Sequence, residues 1–406
     1  MLVFKNARLI DGTGRPAVDG CTIVIDGQRF RSISEGGGVP EGANVIDLRG
    51  KTVIPGLIDA HTHFSGSSGF DRPGFGRRRE TYDYAEAREA FLDWGVTTVR
   101  TCGDIGSEIL AYCRDAASEH RFSPRVLAVG PWFQAKDGHP GYTVGPLVGL
   151  KDEATLRDAA VIITEDTDVE AEVSRVAAMG VFEIKAFLGH IDKGNYPVPV
   201  PHMTEAQLSR IVHQAHALGK RVICHVDDPI EMEAAVRAGA DGVEHVLAVG
   251  AEHTEFPPEL LDLLAARGTV VDPTMISILR WDAQVPGAQP VYAELKTAVR
   301  RMYEAGVTLA AGCDSGIPFV PFGESLHDEM RCLTEAGIPP LEVLRMATCG
   351  NAAILGLDGD LGSVAPGKLA DLLVLDGDPL ENIENTKKIL LVMQGGRILR
   401  DRMLRA

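Results

Sequence analysis

Two histidines at alternate positions, His61 and His63, are the residues with the clearest potential for chemistry in this sequence. The short apolar run 54–60, which contains the turn-forming pair Pro55-Gly56, leads directly into them. Residues two apart in a β-strand project from the same face, so both imidazoles would leave the strand end side by side. Neutral imidazole binds zinc and related divalent ions, which makes the pair half of a metal site. Two satisfied surface histidines are the alternative that this motif alone leaves open.

The middle of the chain alternates between apolar, β-branched runs and helical patterns. The predicted strands are residues 54–61, 96–101, 125–133, 181–187, 221–226, 242–247, 269–273 and 307–313. The predicted helices include residues 82–94, 168–179, 204–218, 229–238, 258–266 and 291–305, and a glycine follows most of them. Strands that alternate with helices in this way predict an α/β fold, a closed parallel (β/α)8 barrel or TIM barrel.

Both ends of the chain are predicted to be rich in β-strands. The predicted strands there are residues 2–4, 21–25, 30–33, 44–48, 371–375, 388–393 and 397–399, with glycine-containing turns between them. β-rich ends around an α/β middle suggest that the two ends pair into one small β-sandwich. We expect residues 1–55 and 358–406 to form this composite domain, and residues 56–357 to form the catalytic barrel.

In such a barrel, functional side chains come from the carboxyl ends of the strands. The metal-ligand types at those ends are His61, His63, Lys185, His225, Glu244, His245 and Asp314. Each residue alone is weak evidence, but together they predict one site at the barrel mouth. The predicted long loops over that mouth are residues 65–80, about 138–146 and 277–290.

Composition and charge exclude several classes of protein. The formal net charge of −17 argues against a nucleic-acid-binding surface. No apolar run approaches the ~20 residues of a membrane span, and the first residues do not form a signal peptide. The seven cysteines are scattered and lack a CxxC pair, which is typical of reduced thiols. We therefore expect a cytoplasmic location and no membrane or nucleic-acid partner. We also expect the chain to form a homo-oligomer.

These motifs resemble those of the amidohydrolase superfamily, and in particular its imidazolonepropionase-like and Xaa-Pro dipeptidase-like branch of metal-dependent hydrolases. The matching segments are residues 55–63, Gly138-His139-Pro140, Lys185, Cys224-His225, Glu244-His245, Cys313-Asp314-Ser315-Gly316 and residues 363–372. The resemblance covers nearly the whole chain. It is specific for the superfamily and leaves the substrate open.

The resemblance implies two divalent metal ions, with zinc as the first expectation and iron, manganese and cobalt as alternatives. The implied ligands are His61, His63 and Asp314 for the more buried ion, His225 and His245 for the second ion, and Lys185 as a bridge. Carbon dioxide would carboxylate the Lys185 amine, since two neighbouring cations favour the neutral, reactive amine over the ammonium. A structural ion pair of Lys185, for example with Glu183, is the alternative.

The implied reaction is the hydrolysis of a carbon–nitrogen bond. Two metal ions about 3.5–4 Å apart activate a shared water, and the resulting hydroxide would attack a carbonyl group. Asp314 would take up the proton and pass it to the leaving nitrogen. The predicted substrate is a small molecule or short peptide with an amide, cyclic amide or carbamate-like bond.

One position departs from the peptidase-like pattern, which tends to place a tyrosine two residues after the strand-5 histidine. Asp227 stands there, and we expect it to contact substrate and to disfavour a free carboxylate. Asp228 precedes Pro229 and suits a helix N-cap. His139 is the other predicted substrate contact. An arginine run could meet an anionic substrate or form a solvated face, and its members are Arg72, Arg77, Arg78 and Arg79.

Two other functions stay open. A one-metal aminohydrolase, or deaminase, would carry a glutamate about one turn after the strand-5 histidine and would have no use for a strand-4 lysine. This chain has Asp228 and Lys185 at those places. A non-catalytic barrel scaffold would be expected to have lost ligands, whereas this chain has the full set.

Overall fold

The computed structural model describes residues 1–64, 84–118, 122–142, 153–189, 191–192, 198–246, 256–284 and 291–403. The predicted loop 65–80, which contains the arginine run, lies outside these residues. So do residues 143–146 and 285–290 of the other two predicted loops. Among the described helices, none combines the length and the apolar character that crossing a membrane requires.

Strands and helices alternate through the central part of the described chain. The strands are β1 (Leu2–Leu9), β2 (Val18–Asp26), β3 (Arg29–Glu35), β4 (Asn44–Asp47), β5 (Thr52–Pro55), β6 (Leu57–Thr62), β7 (Val96–Thr101), β8 (Arg125–Leu127), β9 (Trp132–Ala135), β10 (Ala160–Ile163), β11 (Ile184–Phe187), β12 (Ile191–Asp192), β13 (Val198–Pro199), β14 (Val222–His225), β15 (Gly242–Glu244), β16 (Val270–Asp272), β17 (Leu372–Leu375), β18 (Ile389–Gln394) and β19 (Arg397–Asp401). The α-helices are α1 (Ala85–Asp93), α2 (Gly106–Ser118), α3 (Glu153–Ala159), α4 (Val169–Ala178), α5 (Glu205–Ala217), α6 (Pro229–Ala238), α7 (Pro258–Arg267), α8 (Met275–Gln284), α9 (Tyr292–Glu304), α10 (Glu324–Glu335), α11 (Pro340–Arg345) and α12 (Asn351–Ile354). A π-helical turn spans Met346–Gly350 and a 3-10 helix spans Ile383–Lys387.

Strands from both ends of the chain form one sheet. Its order is β19-β18-β17-β5-β1-β2-β3, and β4 pairs in parallel with β1. The antiparallel pair β17–β5 joins the two ends, for example through Leu373 opposite Ile54. Buried side chains from both ends, among them Phe4, Ile23 and Leu391, share one apolar cluster. The ends therefore pair as a sheet, whereas a two-layer sandwich and the domain boundaries stay predictions.

The predicted strand 54–61 is divided at Gly56. β5 belongs to the terminal sheet, and β6 pairs in parallel with β7 in the sheet that carries the histidines. Gly56 N donates to the Asp371 carbonyl at 3.0 Å. A Cβ atom at position 56 would lie 2.5 Å from Thr97 Oγ1. The chain can pass between the two sheets here because glycine has no side chain.

Parallel strands make up the central sheets, in the orders β6-β7-β8 and β10-β9-β11-β14-β15-β16. The predicted strand 125–133 is split into β8 and β9 by Gly130 and Pro131, since proline has no N–H for a sheet hydrogen bond. Neighbouring strands in these sheets run in the same direction, so their carboxyl ends lie at one edge of the sheet. His225 and Glu244 are opposite each other at that edge, in β14 and β15.

The last predicted strand, residues 307–313, is not a regular strand. Its backbone still bonds on both sides, because Ala310 N donates to Val271 O at 2.9 Å and Ala60 N donates to Ala311 O at 3.2 Å. Side chains satisfy the remaining groups. Asn351 Oδ1 accepts from Ala311 N at 3.1 Å, and a carboxylate oxygen of Asp272 accepts from Gly312 N at 3.0 Å. Side-chain acceptors thus replace part of the expected backbone ladder.

Residues 277–284, predicted as part of a loop, continue helix α8. The N-terminus of this helix is satisfied from a distant part of the chain. The buried Glu329 carboxylate accepts from Met275 N at 3.0 Å and from Ile276 N at 2.7 Å. Such a cap satisfies two of the N–H groups that a helix start leaves without partners. The prediction failed because this acceptor lies on α10 and is invisible to local sequence patterns.

Candidate metal centre

The two histidines of the 61–63 motif meet an aspartate at the end of β6. His63 Nε2 lies 3.1 Å and His61 Nε2 lies 3.4 Å from Asp314 Oδ1. The donor atoms of all three residues lie within 4.8 Å of one another. His61 is fully buried and Asp314 is nearly so. Two imidazoles and a carboxylate at this spacing form a donor set that suits zinc and similar divalent ions.

Two residues of the site have left-handed backbone conformations that are unfavourable for residues other than glycine. The φ angle is 77° at His245 and 59° at Asp314. Backbone hydrogen bonds hold both, from His245 N to Asp272 O at 2.8 Å and from Asp314 N to His61 O at 2.9 Å. Strain of this kind persists only where surrounding contacts enforce it, and it is typical of functional sites.

The remaining predicted histidine ligands continue the same group of rings. His225 ends β14, and its ring centroid lies 4.4 Å from that of His245. The centroids of His245 and His61 are 5.1 Å apart, and those of His61 and His63 are 5.3 Å apart. His245 Nδ1 lies 2.6 Å from Thr274 Oγ1, which orients the ring. The four imidazoles therefore form one continuous cluster across neighbouring strands.

Lys185 is fully buried in β11, and its Nζ atom has no hydrogen-bond partner among the described residues. The structure does not show the alternative, an ion pair between Lys185 and Glu183. Glu183 Oε2 accepts from Arg100 instead, at 3.1 Å. The nearest described interaction of Nζ is with the Phe187 ring, whose centroid is 5.0 Å away. Burying an unpaired ammonium is unfavourable, so the site fits an amine that is chemically modified or that faces a ligand.

Both predicted substrate contacts lie beside His225. The His139 ring centroid is 4.9 Å from that of His225, and Asp227 Oδ1 lies 3.2 Å from His225 Nε2. His139 and Asp227 are both buried. A Cβ atom at Gly189 would lie 2.5 Å from Asp227 Oδ2, so glycine at that position makes room for the carboxylate. Contact of either residue with a substrate stays a prediction.

Asp228 has the capping role that its position before Pro229 predicts. Its Oδ1 atom accepts from Glu231 N at 2.8 Å at the start of α6. Glu231 in turn accepts from Asp227 N at 2.5 Å. Because its carboxylate is used to cap the helix, Asp228 does not replace the glutamate that a one-metal aminohydrolase would need.

Sequence reasoning missed Arg100 and the role of Glu244. Arg100 is only 2% exposed, and it donates to Glu244 Oε1 at 2.8 Å. Glu244 Oε2 lies 2.6 Å from His61 Nδ1. The available signal was an arginine within the valine- and threonine-rich strand β7, since a buried charge requires a partner.

Cys102 also lies near His61 and Glu244, with donor atoms within 4.8 Å of one another. Burial raises the pKa of its thiol well above the usual value, so the thiol stays protonated near pH 7 in the metal-free site. The seven cysteines, all within the described residues, are free.

The electrostatics of the site favour metal binding by His61. Burial lowers the pKa of His61 to about 4, although the carboxylates of Glu244 and Asp314 act in the opposite direction. Its ring is therefore neutral near pH 7, which is the form that binds metal ions. Burial alone would raise the pKa of Glu244, but Arg100, His61 and Lys185 together outweigh it and hold that pKa below the usual value. Glu244 is therefore an anion that can only accept hydrogen bonds.

The sequence pattern of the amidohydrolase family matches residues 52–399, and the chain belongs to this family. It is 26% identical to imidazolonepropionase of Symbiobacterium thermophilum over 410 residues, which cover 92% of this chain and 85% of that protein. A solved Xaa-Pro dipeptidase with methionine in its active site is 26% identical, with a TM-score of 0.83 over 98% of this chain and 99% of that one. Ochratoxinase of Aspergillus niger is 24% identical over 97% of this chain and 85% of its own length.

These similarities confirm the predicted superfamily and its branch. They also confirm the prediction that the chain is a hydrolase of carbon–nitrogen bonds, and they imply the TIM-barrel amidohydrolase fold.

Proposed function

We propose that this chain hydrolyses a carbon–nitrogen bond of a small molecule or short peptide with the help of two divalent metal ions. The proposed ligands are His61, His63, Lys185, His225, His245 and Asp314. The observation that carries this proposal is the buried cluster of His61, His63 and Asp314 donors, reached by two further imidazoles. Lys185 adds a buried amine, without a hydrogen-bond partner in the described part of the chain, on the strand beside that of His225.

Metal ions bound there would supply an activated water and polarise the carbonyl of the substrate. The chain's own residues would orient the reaction and move its proton. Asp314, beside His61 and His63, is the proposed general base, and it then delivers the proton to the leaving nitrogen. Burial of the site excludes bulk water and strengthens each electrostatic interaction within it.

The proposed state of Lys185 is a carbamate. The neutral amine attacks carbon dioxide, a nitrogen–carbon bond forms, and one proton is released to solvent. The side chain then ends in a carboxylate, which provides two oxygen ligands in place of a buried amine. Zinc is the proposed metal, and iron, manganese or cobalt would suit the same donors.

We also propose that the central strands close into a (β/α)8 barrel. Supporting bonds at the two junctions of the central sheets run from Phe182 N to Ala128 O at 2.7 Å and from Ala60 N to Ala311 O at 3.2 Å. Residues 1–55 with 358–406 would form the second domain. Cytoplasmic location, homo-oligomerisation and the lack of nucleic-acid or membrane partners stay predictions.

Metal content tests the proposed function. Elemental analysis of protein purified without chelator is expected to find close to two divalent ions per chain. His61→Gln removes one proposed ligand and should lower that number, whereas the matched change His216→Gln, on the exposed face of α5, should not. One ion at full occupancy would favour the aminohydrolase alternative. No bound ion would refute the proposal.

We propose that Asp227 selects against substrates with a free carboxylate near His225. The Asp227 carboxylate is fully buried and contacts the ring of His225, one of the proposed ligands. Two like charges 4 Å apart repel by about 4 kcal/mol at an effective dielectric constant of 20. A neutral or cationic group is therefore favoured at this end of the site. This feature would separate the chain from a peptidase that holds a substrate carboxylate there.

Asp227→Asn removes the charge while keeping the shape. We expect kcat/KM for a carboxylate-bearing amide to rise at least tenfold, and kcat/KM for the matched carboxamide to change by less than about threefold, because only the carboxylate is repelled. The matched control is Asp228→Asn, which keeps a good N-cap and should change neither value. If the wild type prefers the carboxylate form and Asp227→Asn leaves that preference unaltered, Asp227 does not select substrates in this way.

A further inference from the structure

A group of buried charged side chains lies directly behind His61. Arg100 Nη1 donates to Glu183 Oε2 at 3.1 Å, and Arg100 Nη2 donates to Glu244 Oε1 at 2.8 Å. Asp272 Oδ2 lies 3.9 Å from Arg100 Nη2. Each of these side chains is at most 2% exposed. The group is therefore shielded from bulk water, and each hydrogen bond within it constrains the neighbouring ones.

The donors and acceptors in this group determine which nitrogen of His61 carries the proton. An arginine only donates hydrogen bonds, and an ionised carboxylate only accepts them. Arg100 occupies one oxygen of Glu244, and the other oxygen faces His61 Nδ1 at 2.6 Å. The proton of the neutral ring is therefore on Nδ1. The lone pair of Nε2 is then directed towards Asp314, whose Oδ1 atom is 3.4 Å away.

Arg100 also fixes the backbone next to His61. Its Nε atom donates to the carbonyl of Ala60 at 2.6 Å, one residue before the histidine. The arginine thus holds both the peptide that carries the imidazole and the carboxylate that orients it. Geometry around a metal ligand is set in this way when the second nitrogen of the ring bonds to a carboxylate.

We propose that Glu244 and Arg100 are positioning residues that hold His61 in its Nδ1-protonated form, so that Nε2 is available to the more buried metal ion. This inference rests on the proposed function, because it requires that His61 be a metal ligand. Under this proposal Arg100 helps to orient His61 and does more than balance the charge of the buried carboxylates. Glu183 provides an internal comparison, since it is equally buried and bonds to the same arginine, whereas of these two carboxylates it is that of Glu244 that bonds to His61 Nδ1.

Glu244→Gln tests the proposal by replacing a single heavy atom, one carboxylate oxygen, with an NH2 group. The glutamine oxygen must accept from Arg100, so its NH2 group faces His61 Nδ1 and donates to it. The ring proton then moves to Nε2 and blocks metal binding there. We expect the affinity for Co²⁺ at one of two sites to fall by about 10- to 100-fold, as for the loss of other carboxylate partners of metal-binding histidines. Glu183→Gln, the matched control, should bind two Co²⁺ ions as the wild type does.

Two outcomes would overturn the proposal while leaving the proposed function intact. The first is Co²⁺ binding by Glu244→Gln that equals the wild type. The second is an equal loss in Glu244→Gln and Glu183→Gln, which would show a purely structural charge cluster. A wild type that binds no divalent ion would refute the proposed function and this inference together.

A measurement on the wild-type chain keeps the test independent of how well the variants fold. Selective ¹⁵N-histidine labelling distinguishes the two neutral forms of imidazole by their nitrogen shifts, and His61→Gln assigns the signal. We expect metal-free wild type to show His61 protonated at Nδ1 near pH 7. Protonation at Nε2 would overturn the proposal.

Discussion

Replacing Asp314 by asparagine is expected to lower turnover by about 10²- to 10⁴-fold, the usual contribution of a general acid–base group. Asparagine keeps the shape of the side chain and one oxygen near His61 and His63, but it cannot take up a proton at neutral pH. The loss should therefore fall on kcat while metal binding is largely kept. The substrate for the measurement is whichever member of an amide, carbamate and lactam panel the wild type hydrolyses.

Metal content must be measured on the same Asp314→Asn preparation. Two ions per chain with a large loss of kcat would separate proton transfer from metal binding. The pH profile adds a second readout, since removal of the base should abolish the acidic limb of the kcat profile. Near-normal turnover in metal-replete Asp314→Asn would show that another group moves the proton.

Replacing Lys185 by methionine is expected to have the other large effect. Methionine keeps an apolar, unbranched stem in the buried space of β11 and removes the amine. Without the amine no carbamate forms, so the metal content should fall below two ions per chain. Turnover should fall by at least about 10²-fold, because the two proposed ions act together on the substrate.

The stability of the metal-free protein distinguishes the proposed metal-binding role of Lys185 from a structural role. Within the residues that the structure describes, Lys185 Nζ is buried without a hydrogen-bond partner, so its removal should leave the melting temperature of metal-free protein unchanged or higher. In metal-loaded protein the same change should lower the melting temperature, because bound ions stabilise the folded state by mass action. Lys220→Met is a suitable control. Unlike Lys185, Lys220 donates a hydrogen bond, to Val181 O at 2.6 Å, and the substitution would remove that bond.

A structural lysine would give the opposite pattern. In that case Lys185→Met would destabilise the metal-free protein and leave its metal content at two ions. Carboxylation itself can be observed directly, because ¹³C-labelled carbon dioxide adds one carbamate signal in the wild type. That signal should be missing in Lys185→Met and present in Lys220→Met.

Local patterns in the sequence were sufficient for the elements that carry the site. The alternation of His61 and His63 brings both rings together at the end of β6, because the side-chain period of extended chain is two residues. Asp228 before Pro229 predicted the start of α6 through the chemistry of the N-cap alone. The pairing of the two chain ends was predicted from their turns and β-branched runs, because the strands at each end need partner strands elsewhere in the fold. In the first two cases the determining interactions lie within a few residues.

Other features depend on residues that are far apart in the chain. The segment 307–313 lost its regular ladder because Asp272 and Asn351 supply acceptors from other elements. Helix α8 begins at Met275, where Glu329 caps it from α10. A periodicity of side chains carries no information about such acceptors, since it reports only which face of an element is apolar.

The sequence by itself determined which side chains could bind metal and at which strand ends they lie. Only the tertiary structure decided how those side chains are held. It showed that Lys185 has no ion pair with Glu183, that Asp227 contacts His225, and that Glu244 bonds to both His61 and Arg100. The physical reason is that ligand type is a property of one residue, whereas hydrogen-bond direction, burial and charge neighbours are properties of the packed interior, where strands distant in sequence meet.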